Sequence, residues 1–271
     1  MTTSSNGSAR KGTAVVTGAS SGIGAVYADR LAKRGYDLIL VARRADKLKA
    51  LADRLRRETG VAVEAVTADL TSTADLNRVE SLVSSNPNIT LLVNNAGTAT
   101  LGASTGATAA AQDTMIALNI TALTRLTLAV FPKFLERNNG AIVNVSSVLS
   151  LHTLPVSGIY SGTKGYVLSF TRGLQQEVGD RNVKIQLVLP AATRTEIWDV
   201  GGFSLDNLDP ATVMSAEDLV DAALAGLDRG EDITLPSVED KSLWDKYDGA
   251  RLTLFQASQN GKAASRYATH Q

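Results

Sequence analysis

The run Thr13-Ala14-Val15-Val16-Thr17-Gly18-Ala19-Ser20-Ser21-Gly22-Ile23-Gly24 decides the fold. Thr13–Thr17 is short, apolar and β-branched, the pattern of a buried strand. A glycine-rich turn follows, and Ile23, Tyr27 and Leu31 then recur every four residues along a helix that Gly35 closes. Such a strand–turn–helix brings backbone N–H groups and a helix N-terminus up to phosphate oxygens. Gly18 permits the tight turn, Gly22 and Gly24 permit close approach, and Ser20, Ser21 and Ile23 complete the loop. The spacing is G-x-x-x-G-x-G rather than the commoner G-x-G-x-x-G, and the plain alternative is a glycine-rich turn with no ligand.

Outward from this unit the same alternation repeats. Leu38–Ala42 is a continuously apolar second strand, and Leu48, Leu51 and Leu55 mark a helix stopped by Gly60. Val61–Thr67 is a third strand, and Ser72 or Thr73 caps a helix carrying Leu76, Val79 and Leu82 that ends before Pro87. Thr90–Asn94, Ala141–Val145, Val183–Leu189 and Ile233–Leu235 read as further strands. Helices are predicted over Gln112–Phe131, with Pro132 near the end, and over Tyr160–Val178, Glu217–Leu227 and Ser242–Phe255. On the last, Leu243, Trp244, Tyr247, Ala250 and Leu254 share a face. Strict alternation predicts an α/β fold: a doubly wound parallel sheet, Rossmann-like, in a single domain over 12–271 behind a flexible tail 1–11. Ligands on such sheets bind beyond the carboxyl ends of the strands, where strand order reverses.

The chain has 271 residues, no cysteine, two histidines, and 27 basic against 27 acidic side chains. Without cysteine there are no disulfides, thiol nucleophiles or cysteine-held metals, which suits a reducing, cytoplasmic setting. Two histidines, at 152 and 270, are too few for a multi-histidine metal centre, so no metal is expected. Zero net charge argues against nucleic-acid or membrane-surface binding. The polar N-terminus reads as no signal peptide, and no apolar run approaches the roughly 18 residues that span a bilayer.

The second strand ends in Ala42-Arg43-Arg44. An NAD(H) enzyme favours a carboxylate here to accept from the ribose hydroxyls, whereas arginine pairs with a 2′-phosphate. Arg43 and Arg44 therefore favour NADP(H) over NAD(H), against the alternative that they only begin the basic helix face of Lys47, Lys49, Arg54, Arg56 and Arg57. Asp69 and Leu70, past the third strand, are candidates to hold the adenine, though Asp69 alone is more often a turn residue before a helix.

Tyr160 and Lys164 stand one helical turn apart, about 6 Å, on one face. A phenol with pKa near 10 is a poor base at neutral pH, and a fixed ammonium beside it, with a positively charged nicotinamide nearby, would lower that value. Asn94-Asn95-Ala96-Gly97 ends the fourth strand and Ser146-Ser147 the fifth. With TGASSGIG, this set resembles the short-chain dehydrogenase/reductase family, in the family's order, over roughly residues 12–236. The resemblance implies a catalytic tetrad of Asn119, Ser147, Tyr160 and Lys164: serine orienting a carbonyl, tyrosine as acid/base, lysine on the nicotinamide ribose, asparagine positioning a water. It also implies cofactor contacts from Asn95, Ala96 and Gly97, and from Pro190, Thr193 and Thr195 after the sixth strand. Substrate loops fall at 98–106, 149–158 and 191–212, and the family pattern implies a homodimer or homotetramer.

Two departures stand out. Ala191 follows Pro190 where the family has glycine, and the active-site helix carries Gly162, Gly165 and Gly173, which suggests close packing against the sheet or a partner helix. His152 reads as a solvated loop residue, and Ile197, Trp198 and Phe203 as pocket or core. The reading that emerges is an NADP(H)-dependent oxidoreductase interconverting a small-molecule carbonyl and its alcohol. The alternatives are a catalytically silent NADP(H)-binding sensor or scaffold, and an epimerase or dehydratase, for which the chain beyond the last strand is short.

Overall fold

Every residue of β1 (Thr13–Thr17) is buried, and the chain leaves it through Gly18, with φ +67°, before α1 (Gly22–Lys33) begins. A computed structural model describes residues 11–197 and 207–267. The alternation continues through β2 (Asp37–Ala42), α2 (Ala45–Thr59), β3 (Val63–Thr67), α3 (Thr73–Ser85) and β4 (Ile89–Asn94). Then come α4 (Ala109–Ile116), α5 (Leu123–Glu136), β5 (Gly140–Val145), α6 (Gly158–Val178), β6 (Val183–Val188), α7 (Ala216–Arg229) and β7 (Ile233–Thr234). All seven strands pair in parallel in one sheet ordered β3-β2-β1-β4-β5-β6-β7. The expected doubly wound Rossmann-like sheet is present, and strand order reverses between β1 and β4.

Alternating side chains of each strand feed two apolar layers. Val16, Leu40 and Val143 meet Tyr27, Leu31, Leu48, Leu55 and Leu224 on one face. Val15, Ile39 and Ile142 meet Leu76, Val79, Leu126, Phe134 and Leu174 on the other. Burial on both faces is why the central strands read as unbroken apolar runs.

Contacts divide the chain into two compact units, 1–237 and 238–271, with the sheet in the first. The second unit holds α8 (Ser242–Ser258), where the Trp244 and Tyr247 rings lie 5.4 Å apart. Four sequence expectations change. The helix predicted over 112–131 is longer and interrupted: a π-helical turn, Ala117–Ala122, joins α4 to α5, and Pro132 lies inside α5. This continuous stretch, Ala109–Glu136, is long and apolar enough to cross a membrane by length and composition, contrary to the reading from contiguous runs. Nearly half of its most apolar part is buried, and Leu126, Val130, Phe131 and Phe134 belong to the core.

Ser72 holds the N-cap position of α3 but makes no side-chain capping bond. Finally, Gly162, Gly165 and Gly173 do not pack on the sheet: a Cβ at any of them meets nothing within 4 Å. The side of α6 buried on the sheet carries Lys164, Val167, Thr171, Leu174 and Val178 instead.

Candidate active site

The carboxyl ends of β4 and β5 are joined by buried amides. Asn94 Nδ2 donates to Thr127 Oγ1 (2.9 Å) and Asn144 Oδ1 (2.9 Å), and Asn144 Nδ2 donates to Thr171 Oγ1 (2.9 Å). These bonds link the two strands to α5 and α6. In a low-dielectric interior such bonds favour one geometry, and the network leaves a single buried acceptor of its own, Asn94 Oδ1, without a partner. Ser146 Oγ donates to the Lys164 carbonyl (2.9 Å) and sets the height of α6 against β5.

On this frame the four predicted side chains converge. Ser147 Oγ donates to the Pro190 carbonyl (3.4 Å) and accepts from Leu149 N–H (3.1 Å). Lys164, 6% exposed, donates from Nζ to the Val145 carbonyl (3.1 Å), with Nζ 5.7 Å from the centre of the Tyr160 ring. Asn119 sits in the π-helical turn and is buried. Its Oδ1 accepts from Thr98 N–H (2.9 Å), and its Nδ2 donates to Thr98 O (2.9 Å) and Thr163 Oγ1 (3.0 Å). Gly97 closes the group: a Cβ there would lie 3.3 Å from Asn119 Oδ1 and 3.6 Å from Lys164 Nζ.

Burial dominates the electrostatics. It pushes Tyr160 up to about 12, against the lowering pull of a hydrogen bond with Ser147, and pushes Lys164 down to about 8. The expected lowering of the Tyr160 pKa by the Lys164 ammonium is therefore absent from the chain by itself. Desolvation outweighs it, and Nζ is turned to a backbone carbonyl. A lysine whose pKa falls from 10.5 in the unfolded chain to about 8 binds fewer protons when folded, so its burden on stability is full below pH 8 and fades towards pH 10.5. Lys164→Met is thus expected to melt higher than the natural chain at pH 7, with the gap narrowing between pH 8 and 10.5. Thermal melts at stepped pH check this; a gap constant with pH would refute it.

The glycine-rich loop lies beside this group. A Cβ at Gly24 would fall 2.4 Å from Gly18 O and 2.5 Å from Asn95 Nδ2, so the turn closes only on glycine. Asn95 serves the loop itself, donating to Thr17 O (2.9 Å), while Thr17 Oγ1 accepts from the N–H groups of Asn95 and Ala96 (3.0 Å each). Thr17 was missed by sequence reasoning because its partners lie just past the end of β4, far away in the chain.

Arg43 and Arg44 are both exposed at the end of β2. Arg44 donates from Nε and Nη2 to Ser20 Oγ (3.1 Å each), from Nη2 to Ser21 Oγ (2.5 Å), and from Nη1 to Glu196 Oε2 (2.5 Å). Asp69 is a turn residue: its Oδ1 accepts from Thr71 N–H (3.0 Å) and Thr71 Oγ1 (2.8 Å). Leu70 has its side chain in the core.

Past β6, Thr193 pairs in parallel with Met214, and Thr195 lies against Gly22, where a Cβ would meet its Cγ2 at 3.1 Å. Ala191 causes no strain, since among the described residues only Asn138 is a non-glycine with positive φ. His152 is exposed, as expected; Trp198 and Phe203 lie outside the described residues. A cavity of about 260 Å³ is lined by Leu101, Gln112, Val156 and Ile159, next to Tyr160 in sequence. Another, of about 210 Å³, opens at the amino end of β6 among Arg181, Lys184 and Asp232, away from all of these groups.

The sequence profile of the short chain dehydrogenases matches residues 12–200. The chain belongs to that family. This short-chain dehydrogenase is an oxidoreductase on a nucleotide-binding sheet, as its sequence led us to expect. It is 48% identical to a short-chain dehydrogenase from Sphingobium yanoikuyae solved with NADPH, with a TM-score of 0.92 over 95% of this chain and 100% of that one. A bulky-bulky ketone specific alcohol dehydrogenase from Comamonas testosteroni is 41% identical, with a TM-score of 0.87 over 95% and 99%. A very-long-chain 3-oxoacyl-CoA reductase of Danio rerio is 32% identical over 208 residues, 75% of this chain and 67% of that protein. The chain spans about two thirds of the length of such curated relatives.

Proposed function

We propose that this short-chain dehydrogenase interconverts a ketone or aldehyde and the corresponding alcohol with NADP(H), Tyr160 being the acid/base. The observation that carries the reading is the convergence of Tyr160, Ser147, Lys164 and Asn119 around Gly97, beside a loop that closes only on glycine. A loop held this tightly, its backbone open to approach and an exposed guanidinium at the end of β2, fits a dinucleotide that carries a 2′-phosphate. Gly18, Ser20, Ser21, Gly22, Ile23 and Gly24 would hold its pyrophosphate, Arg43 and Arg44 the 2′-phosphate, and Asn95–Gly97, Pro190, Thr193 and Thr195 its nicotinamide half.

Held by these residues, the nicotinamide would supply the hydride exchanged with the carbonyl carbon. The neutral Tyr160 hydroxyl, with its pKa held near 12, gives its proton to the carbonyl oxygen during reduction. Ser147 donates a hydrogen bond to the same oxygen and so stabilises the charge that develops there. Lys164, fixed on the Val145 carbonyl, returns a proton towards Tyr160, and Asn119 holds the turn beside it.

The 41% identical ketone dehydrogenase and the cavity in which Leu101, Val156 and Ile159 sit beside the polar Ser104 and Gln112 support ketones with two large substituents as substrates. The core position of Leu126, Val130, Phe131 and Phe134 favours packing of helix 109–136 over spanning a membrane, the lack of cysteine fits the cytoplasmic setting we propose, and the open glycine face of α6 supports assembly with a second copy.

The test is NADPH oxidation by the purified chain with bulky ketones and aldehydes. Tight NADPH binding with no turnover across the panel would favour the silent sensor. For the cofactor, Arg44→Ala is expected to weaken NADPH binding by about 10- to 100-fold, the range for charge-assisted hydrogen bonds, and to leave NADH within about twofold. Equal losses for both, measured by fluorescence titration, would overturn the 2′-phosphate assignment.

A further inference from the structure

Arg44 spends every edge of its guanidinium. Nε and Nη2 face the Ser20 and Ser21 hydroxyls, and Nη1 faces Glu196. Lys47 Nζ donates to the other oxygen of the same carboxylate (2.9 Å). Glu196 reaches this place from the segment after β6, where Thr195 lies over Gly22, so it bridges the mouth of the phosphate loop from the opposite side of the sheet's switch point.

The partners of Arg44 are not equivalent towards an incoming phosphate. A hydroxyl can rotate and donate, so Ser20 and Ser21 can stay and bond to phosphate oxygens. A carboxylate is acceptor-only and anionic, and it occupies Nη1, which closes the end-on two-pronged contact through Nη1 and Nη2 to a phosphate. Arg44 and Lys47 hold Glu196 ionised far below neutral pH, near 2. It therefore stands as a full negative charge where a 2′-phosphate would bring a second one.

We propose that Glu196 is a specificity-determining residue that competes with the cofactor 2′-phosphate for Arg44 and Lys47, restraining the preference for NADP(H). The inference rests on the NADP(H) reading above. It also gives the two cofactors different relations to one side chain. A ribose 2′-hydroxyl can donate to Glu196 and leave its ion pairs intact, as carboxylates at this edge do for NAD(H), whereas a 2′-phosphate must displace it.

The experiment uses calorimetric binding of adenosine 2′,5′-bisphosphate and of ADP to the full chain, to Glu196→Gln and to Glu196→Ala. Glu196 is half-exposed, and melting temperatures measured alongside would establish that the variants are folded. Both variants are expected to bind the bisphosphate about 3- to 10-fold more tightly, the scale of a partly exposed ion pair strengthened by a second cation. ADP binding should stay the same or weaken. Unchanged or weaker bisphosphate binding in both variants overturns the proposal and makes Glu196 a support for Arg44. A natural chain that binds the two nucleotides equally counts against the NADP(H) reading itself; the inference falls with it only if the variants also gain nothing for the bisphosphate.

Discussion

Tyr160→Phe is expected to lower kcat for ketone reduction by about 10²- to 10⁴-fold, the usual contribution of a positioned acid or base, with NADPH binding kept within about twofold. The substitution preserves the ring beside Lys164 and removes only the hydroxyl and its bond with Ser147. Loss of turnover with cofactor binding intact would separate proton transfer from cofactor positioning. Stopped-flow NADPH oxidation with an accepted ketone makes the measurement; a variant as fast as the natural chain would remove Tyr160 from the mechanism. The pH dependence has a sign as well. With its pKa raised to about 12, the phenol is neutral across pH 6–9, so kcat/KM for reduction should stay flat through that range as far as this group is concerned. The reverse reaction needs the phenolate, so kcat/KM for alcohol oxidation should climb with pH over the same interval.

The second large effect is expected at Gly24. An alanine Cβ would fall 2.4 Å from the Gly18 carbonyl oxygen and 2.8 Å from its carbon, both backbone atoms, and 2.5 Å from the Asn95 amide. None can swing away alone, because Asn95 already holds Thr17 and Gly18 forms the turn. Overpacking of this kind costs about 1–3 kcal/mol, a drop of about 2–12 °C in Tm at this chain length. The loop that would cradle the pyrophosphate has to move with it. NADPH binding is therefore expected to weaken by about tenfold or more, a loss of about 1.4 kcal/mol or above. Gly173→Ala is the contrast. Its Cβ meets nothing within 4 Å, and removing a glycine from a helix interior gains up to about 1 kcal/mol. If both variants lost the same stability, close approach at Gly24 would not be the cause.

Much of the fold was legible because its signals are local. β1 has the predicted bounds, and apolar runs closed by Gly35 and Gly60 marked the first two β–α units. Contiguous-run reading failed in Gln112–Phe131. It saw neither the π-helical turn that carries Asn119 nor the length of the stretch, because apolar periodicity reports which side is buried and not whether backbone bonds run i→i+4 or i→i+5. The glycines of α6 misled for a related reason: their cost in a helix is visible in sequence, but the side of the helix they occupy depends on where the sheet lies. At the site, the Tyr160–Lys164 spacing is set by one helical turn and needed no fold to be seen.

The sequence by itself determined the order of strands and helices, the glycine loop and the Tyr160–Lys164 pair, because periodicity and spacing act over a few residues, while Asn119 and Ser147 became candidates only through the family resemblance. Only the tertiary structure decided what surrounds them. Desolvation raised Tyr160 where a nearby ammonium alone would have lowered it, since burial depends on everything packed around the ring. Glu196 met Arg44 across 152 residues of chain, a pairing that no local pattern encodes and that arises where the sheet's strand order reverses.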